Sequence, residues 1–183
     1  MKSKNKGIRK ETKEALTIIV PIVAGILAFL LALLTPGAYK STGQTSHAEV
    51  NLIGLMFGKI KYTIFGGHLS DVEYYNGGLS LFALLSVICL FVGIALSVAS
   101  VYFKGKLLTL IGAILILVSG VLIFFTLVVG SSVVYSAGMG GMYSSEIPFA
   151  EFFHGWGLGY GVYIYGIVCI IGGAFGVVNY FKK

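Results

Sequence analysis

The chain has 183 residues, 57% of them hydrophobic, only 11% charged, with a formal charge of +6. A soluble domain of this length cannot bury so much apolar surface, since small folds keep much of their surface outside, and soluble domains carry about 25% charged residues. The positive balance does not point to nucleic acid, because the basic residues sit in short clusters between apolar runs rather than over a face that could track phosphates.

The first basic cluster holds Lys2, Lys4, Lys6, Arg9, Lys10 and Lys13, in a tail spanning 1–14. It has the composition of a signal-peptide n-region. The apolar run that follows, 15–34, is longer than the 7–15 residues of an h-region and no convincing cleavage site follows it, so a retained first helix is expected. Pro21 is expected in the first two turns, where proline is tolerated best, and Pro36 with Gly37 would end the helix. Further apolar stretches follow at 79–103, 107–130 and 156–180, none containing Asp, Glu, Lys, Arg or His. A hydrocarbon core about 30 Å thick needs about 20 such residues in a helix, and backbone groups in lipid must be paired within the segment. The fold class expected is therefore an all-α membrane protein, a four-transmembrane-helix bundle.

Between the helices lie a long loop at 35–78, a short link at 104–106 and a second loop at 131–155, with residues 181–183 closing the chain. Ten of the 13 basic residues fall on the side of the two termini and the link; Lys40, Lys59 and Lys61 fall on the other. The positive-inside rule then places both termini in the cytosol and both long loops outside, in a multi-pass protein of the cell membrane. Phe152, Phe153 and Trp156 would mark the outer interface, and Tyr180 and Phe181 the inner one. The tail is also suited to anionic lipid headgroups.

In the first loop, residues 59–65 alternate polar and apolar, so that Ile60, Tyr62 and Ile64 share one strand face. Gly66-Gly67 reads as a turn, and 69–75 as a returning strand with Tyr74 and Tyr75. Residues 51–58 read as another strand or a segment lying on lipid. A small extracellular antiparallel β element in the first outer loop is expected, and these five apolar and aromatic residues are its candidate binding surface. The second loop is rich in Gly, Ser, Met and Tyr, with Glu146 and Glu151.

This order of parts resembles the claudin-like tetraspan proteins, and at this level also bacterial four-span membrane proteins. Gly54-Leu55-Met56 stands roughly where the claudin signature has Gly-Leu-Trp, while this loop contains no Trp and no Cys. The resemblance is one of topology across the whole chain and implies cytoplasmic termini and a strand-bearing first loop.

Small residues recur at helical spacing. Gly157-xxx-Gly161, Gly172-xxx-Gly176, Ala24-xxx-Ala28-xxx-Ala32 and Gly93-xxx-Ser97 are all of the small-xxx-small kind that lets helices approach closely in lipid. Packing within the bundle and contact with a protein partner or a second copy both fit. Tyr165 lies deep in the fourth span, where its hydroxyl needs a partner such as Ser86, Thr126 or a carbonyl. Cys89 and Cys169 fall near mid-span as small packing residues. His47, His68 and His154 lack metal-ligand spacing. No phosphate loop, nucleophile elbow or nucleotide fingerprint is present, and the spans carry no ionisable group for coupled transport or intramembrane catalysis. The expected role is a non-enzymatic structural or accessory membrane protein. Its partners would be lipids and proteins, bound through outer loops and glycine-rich helix faces, with no cofactor, metal or nucleic acid. The alternative is a channel or transport component for a neutral or apolar solute.

Overall fold

A computed structural model describes residues 2–41, 47–66, 69–103, 105–137 and 143–182. Its four long helices are α1 (Lys2–Leu34), α3 (Leu81–Phe103), α4 (Lys106–Leu122, prolonged by the 3-10 turn Ile123–Phe125) and α6 (Tyr160–Phe181). The four segments long and apolar enough to cross a membrane are Glu14–Leu34, Leu81–Phe103, Lys106–Phe125 and Tyr160–Phe181, of 21, 23, 20 and 22 residues. At about 1.5 Å per residue, each covers a hydrocarbon core of about 30 Å. Fewer than half of the residues in each span are buried within the protein (28, 33, 39 and 44%). The remaining apolar side chains, Ile19, Val23, Phe91, Ile167 and Ile171 among them, are exposed on the bundle surface and require an apolar solvent. The chain is a multi-pass membrane protein.

Helix α4 packs against both α3 and α6, and α6 packs along α1. The basic tail does not end where the apolar run begins: α1 continues through it from Lys2. Pro21 consequently sits in the interior of a long helix, not in its first turns. The carbonyl of Thr17, which Pro21 has no N–H to meet, faces Gly176 of α6.

At the other end of the bundle, both long loops fold together. The strands are β1 (Pro36–Ser41), β2 (His47–Asn51), β3 (Lys59–Gly66), β4 (Leu69–Gly77), β5 (Val133–Ala137), β6 (Tyr143–Ile147) and β7 (Gly157–Leu158). They form one seven-stranded antiparallel sheet in the order β6-β5-β4-β3-β2-β1-β7. The β element thus extends beyond the first loop: β5 and β6 come from the second, and β7 from the expected start of the fourth span. Residues 131–155, read as a Gly- and Ser-rich connection, gain their strand character from nonlocal pairing of β5 with β4, and residues 157–158 theirs from pairing with β1. The expected Gly66-Gly67 turn falls partly outside the described residues. Residues 52–57 are neither strand nor surface segment but a short helix, α2 (Leu52–Phe57), ended by Gly58 at φ 70°. A further short helix, α5 (Phe149–Phe152), precedes β7.

Helix α2 joins two cores. Leu52 and Met56 enter the membrane core with Ala28, Leu90, Ile116 and Val162. Leu55 enters the core beneath the sheet with Ala38, Val50, Ile60, Val133, Phe149 and Phe153. The junction is tied by backbone bonds from Leu52 N to Thr35 O (3.1 Å), Ser80 N to Leu55 O (2.8 Å) and Gly159 N to Gly37 O (2.8 Å). Ser80 Oγ accepts from Ala83 N at 3.2 Å, capping α3, and donates to the Thr126 carbonyl at the end of α4. Gly78, at φ 71°, lets the chain leave β4 against Ile60, whose side chain any Cβ there would meet.

Candidate functional site

The small residues of the spans lie at the helix crossings. Gly172 packs on Ala24, and a Cβ on Gly176 would stand 2.7 Å from both Pro21 Cγ and Ala113 Cβ. Ala28 and Ala32 are fully buried. Gly161 meets Thr35 and Pro36, where a Cβ would lie 2.6 Å from the Pro36 carbonyl. Gly157 is not part of this stripe: α6 starts at Tyr160, and Gly157 is in β7, beneath the ring of Tyr39. Trp156, Gly157, Leu158 and Gly159, expected as the first turn of the fourth span, instead lead into it through β7, because the backbone there pairs with β1.

A second set of close contacts is centred on α4. At the α3–α4 crossing, a Cβ on Gly93 would lie 2.9 Å from the Gly112 carbonyl, and one on Gly112 would lie 2.8 Å from the Gly93 carbonyl and 3.0 Å from Ser97 N. At the α4–α6 crossing, a Cβ on Gly120 would lie 2.7 Å from the Gly166 carbonyl, and one on Gly173 2.6 Å from Leu117 N. These glycines fit backbone to backbone, where dispersion rather than the hydrophobic effect holds helices together in lipid.

Between these crossings sits a cluster of hydroxyls. Tyr165 is fully buried, its hydroxyl 2.9 Å from Ser119 Oγ and 3.2 Å from Ser86 Oγ, and Ser86 Oγ also donates to the Ser119 carbonyl at 2.9 Å. Ser86 was among the partners foreseen for Tyr165; Ser119 was not. Thr126 is engaged elsewhere, its hydroxyl donating to the Ile123 carbonyl. Cys169 is buried and Cys89 half-buried, both as free thiols.

The sheet has two unlike faces. Ile60, expected on the binding surface, is 1% exposed and belongs to the core beneath the sheet, because α2 and α5 cover that face. Ile60 pairs in register with Tyr75, Lys61 with Tyr74, Tyr62 with Glu73 and Ile64 with Asp71. The side chains of Tyr62, Ile64, Tyr74 and Tyr75 lie outside the described residues. The opposite face carries polar groups: Tyr39 pairs with Glu49 across β1 and β2, and Glu49 with Thr63 across β2 and β3. His47 Nε2 stands 3.5 Å from Glu49 Oε1. His154 is exposed, its carbonyl accepting from Lys40 Nζ at 3.3 Å, and His68 lies outside the described residues.

Where this open face meets the start of α6, two adjoining clefts share Pro36, Glu49 and Tyr160. One, of about 350 Å³, is walled by Tyr39, Tyr160 and Tyr163 around Glu49. The other, of about 250 Å³, is lined by Lys61, Asn51 and Thr63 and floored by Leu33 and Leu34 at the end of α1. Neither Tyr39 nor Glu49 stood out in the sequence, since only the β1–β2 register and the return of β7 bring them to α6. A third cleft, of about 320 Å³, lies at the other end of the bundle among Glu14, Thr17, Ser100, Lys106 and Thr109.

The arrangement defines a class: a multi-pass membrane protein whose two loops at one end build a single sheet seated on a glycine-packed bundle. No family model matches the chain, and no curated protein matches it.

Proposed function

We propose that the chain is a structural or accessory protein of the cell membrane, both termini in the cytosol, which binds partner proteins through its outer sheet. One observation carries the reading: both loops are invested in a seven-stranded sheet fused to the bundle, while the buried polar groups of the spans are hydroxyls. A sheet of this size has edges and an open face, and exposed edges with unpaired backbone groups are the parts of a fold that accept another chain. Strand β6 is one such edge. Inert spans give no coupling chemistry for a pump. The runner-up reading, a channel or transport component for a neutral or apolar solute, has less support, because the α4–α6 and α3–α4 crossings are closed by glycine contacts and the Tyr165 hydroxyl is met within the chain.

In-cell crosslinking from the sheet, followed by co-purification from native membranes in mild detergent, tests the proposal. A reproducible protein partner or a crosslinked second copy is expected; a monomer free of partners contradicts it. Solute flux above that of empty vesicles from the reconstituted protein would instead favour transport.

A further inference from the structure

We infer that the paired clefts at the sheet–bundle junction bind the zwitterionic headgroup of an aminophospholipid, its ammonium between the tyrosines and Glu49 and its phosphate toward Lys61. The inference concerns a ligand site and stands whether or not the sheet binds a protein partner.

The charge layout selects the ligand. The larger cleft, of about 350 Å³, is lined by three tyrosines and one carboxylate and by no basic residue. Aromatic faces attract cations through their ring quadrupoles, and an ammonium held among three such rings is favoured over an anion. A carboxylate at the same place adds a charge-assisted hydrogen bond. An anion in this cleft would meet the wrong charge. The adjoining cleft adds a positive group: Lys61 lies there beside the same Glu49, which His47 Nε2 also approaches at 3.5 Å, with Asn51 and Thr63 as hydrogen-bonding groups. Glu49 and Tyr160 line both clefts, so a ligand filling them together must carry its positive and negative groups a few bonds apart, one for each cleft. A zwitterion of the phosphoethanolamine type has that form; a lipid bearing only negative charge would leave the tyrosine cleft unused.

The position selects a lipid as the source. Leu33 and Leu34 floor the Lys61 cleft, and Leu34 is 82% exposed at the last turn of the first span. Tyr160 and Tyr163 open the fourth span and are 54% and 48% exposed. Tyrosines half in water at the ends of spans mark the headgroup level of a bilayer. A headgroup held here would lay its acyl chains down along α1. The fold prepares the cleft: Gly157 admits the ring of Tyr39 above β7, where a Cβ would lie 3.0 Å from that ring, and the Tyr39–Glu49 register places ring and carboxylate side by side.

The test is native mass spectrometry of the full-length protein in detergent, exposed to equal amounts of phosphatidylethanolamine and phosphatidylglycerol with identical acyl chains. The wild type is expected to retain phosphatidylethanolamine in preference. Glu49→Gln is expected to lower that retention about tenfold, the scale of one lost charge-assisted contact, without lowering phosphatidylglycerol retention. Lys61→Gln is expected to weaken both lipids. Tyr160→Leu, on the exposed start of α6, removes a ring by a separate route and should lower phosphatidylethanolamine retention severalfold should Glu49→Gln fail to fold. Equal retention of the two lipids by the wild type overturns the inference, as does unchanged preference in the folded variants. Binding of soluble O-phosphoethanolamine as tightly as the lipid overturns the assignment to a membrane source.

Discussion

Substituting Gly112 by alanine should drive α3 and α4 apart. The new Cβ would lie 2.8 Å from the Gly93 carbonyl and 3.0 Å from Ser97 N, and it would collide with Ser97 Oγ. Comfortable carbon–oxygen contacts begin near 3.3 Å, so the backbones must separate by roughly half an ångström or more. Because the obstacle is main chain, no rotamer change relieves it. A gap of 0.5–1 Å forfeits about a quarter to a half of each dispersion well along the crossing, and overpacking of this kind costs about 1–3 kcal/mol. The gain in helix propensity from Gly to Ala returns at most about 1 kcal/mol. The net expectation is a loss of about 1–2 kcal/mol. Ser97→Ala alone should be close to neutral, because Ser97 Oγ is buried without a hydrogen-bond partner among the described residues, and removing an unpaired polar group costs little. Combined with Gly112→Ala it should recover part of the loss but not all, as the Gly93 carbonyl remains. Denaturant unfolding in a fixed detergent, with Ile171→Ala on the 65% exposed lipid face as a control, measures all of these. A Gly112→Ala protein as stable as the wild type would refute the claim that backbone contact between glycines holds this crossing.

Other substitutions separate the remaining contacts. Tyr165→Phe should cost only about 1 kcal/mol, because Ser86 and Ser119 still satisfy one another, whereas Ser86→Ala with Ser119→Ala strands the phenol hydroxyl and should cost about 1–3 kcal/mol in the same unfolding assay. Ser80→Ala removes the cap of α3 and its tie to Thr126, an expected loss of about 1 kcal/mol that a thermal melt will show. Gly78→Ala places a side chain at φ 71° against Ile60 and should loosen the sheet while sparing the bundle. Faster limited proteolysis of the loops with unchanged helix content by circular dichroism would report it.

The membrane helices were legible because their signal is local: an uncharged run long enough for a bilayer identifies itself. The basic tail was legible as charge but not as helix, so the interior position of Pro21 was hidden. Residues 59–65 could be read as a strand from alternation, yet 52–57 could not be told from a strand, since a short apolar run has no decisive period. Strands β6 and β7 carry almost no signal of their own; Gly157 and Leu158 are extended because β1 lies beside them. The same limit applied to the sites. Gly172 with Ala24 could be suspected from spacing, but Gly112 with Gly93, or Ser119 with Tyr165, depends on the relative rotation of two helices. The tyrosine and Glu49 cleft needs three strands and a helix in register before its residues meet, and no stretch of sequence contains it.

Four helices use lipid as their solvent, and the proposed orientation puts the folded sheet on the outer side and the basic ends within. Single cysteines placed at Ser41, Ser131, Lys2 and Lys183, with Cys89 and Cys169 replaced, can be probed in intact cells with a membrane-impermeant maleimide. Labelling is expected at Ser41 and Ser131 before permeabilisation and at the two termini only after it. Labelling of one terminus from outside while the other stays protected would require an odd number of crossings and contradict it.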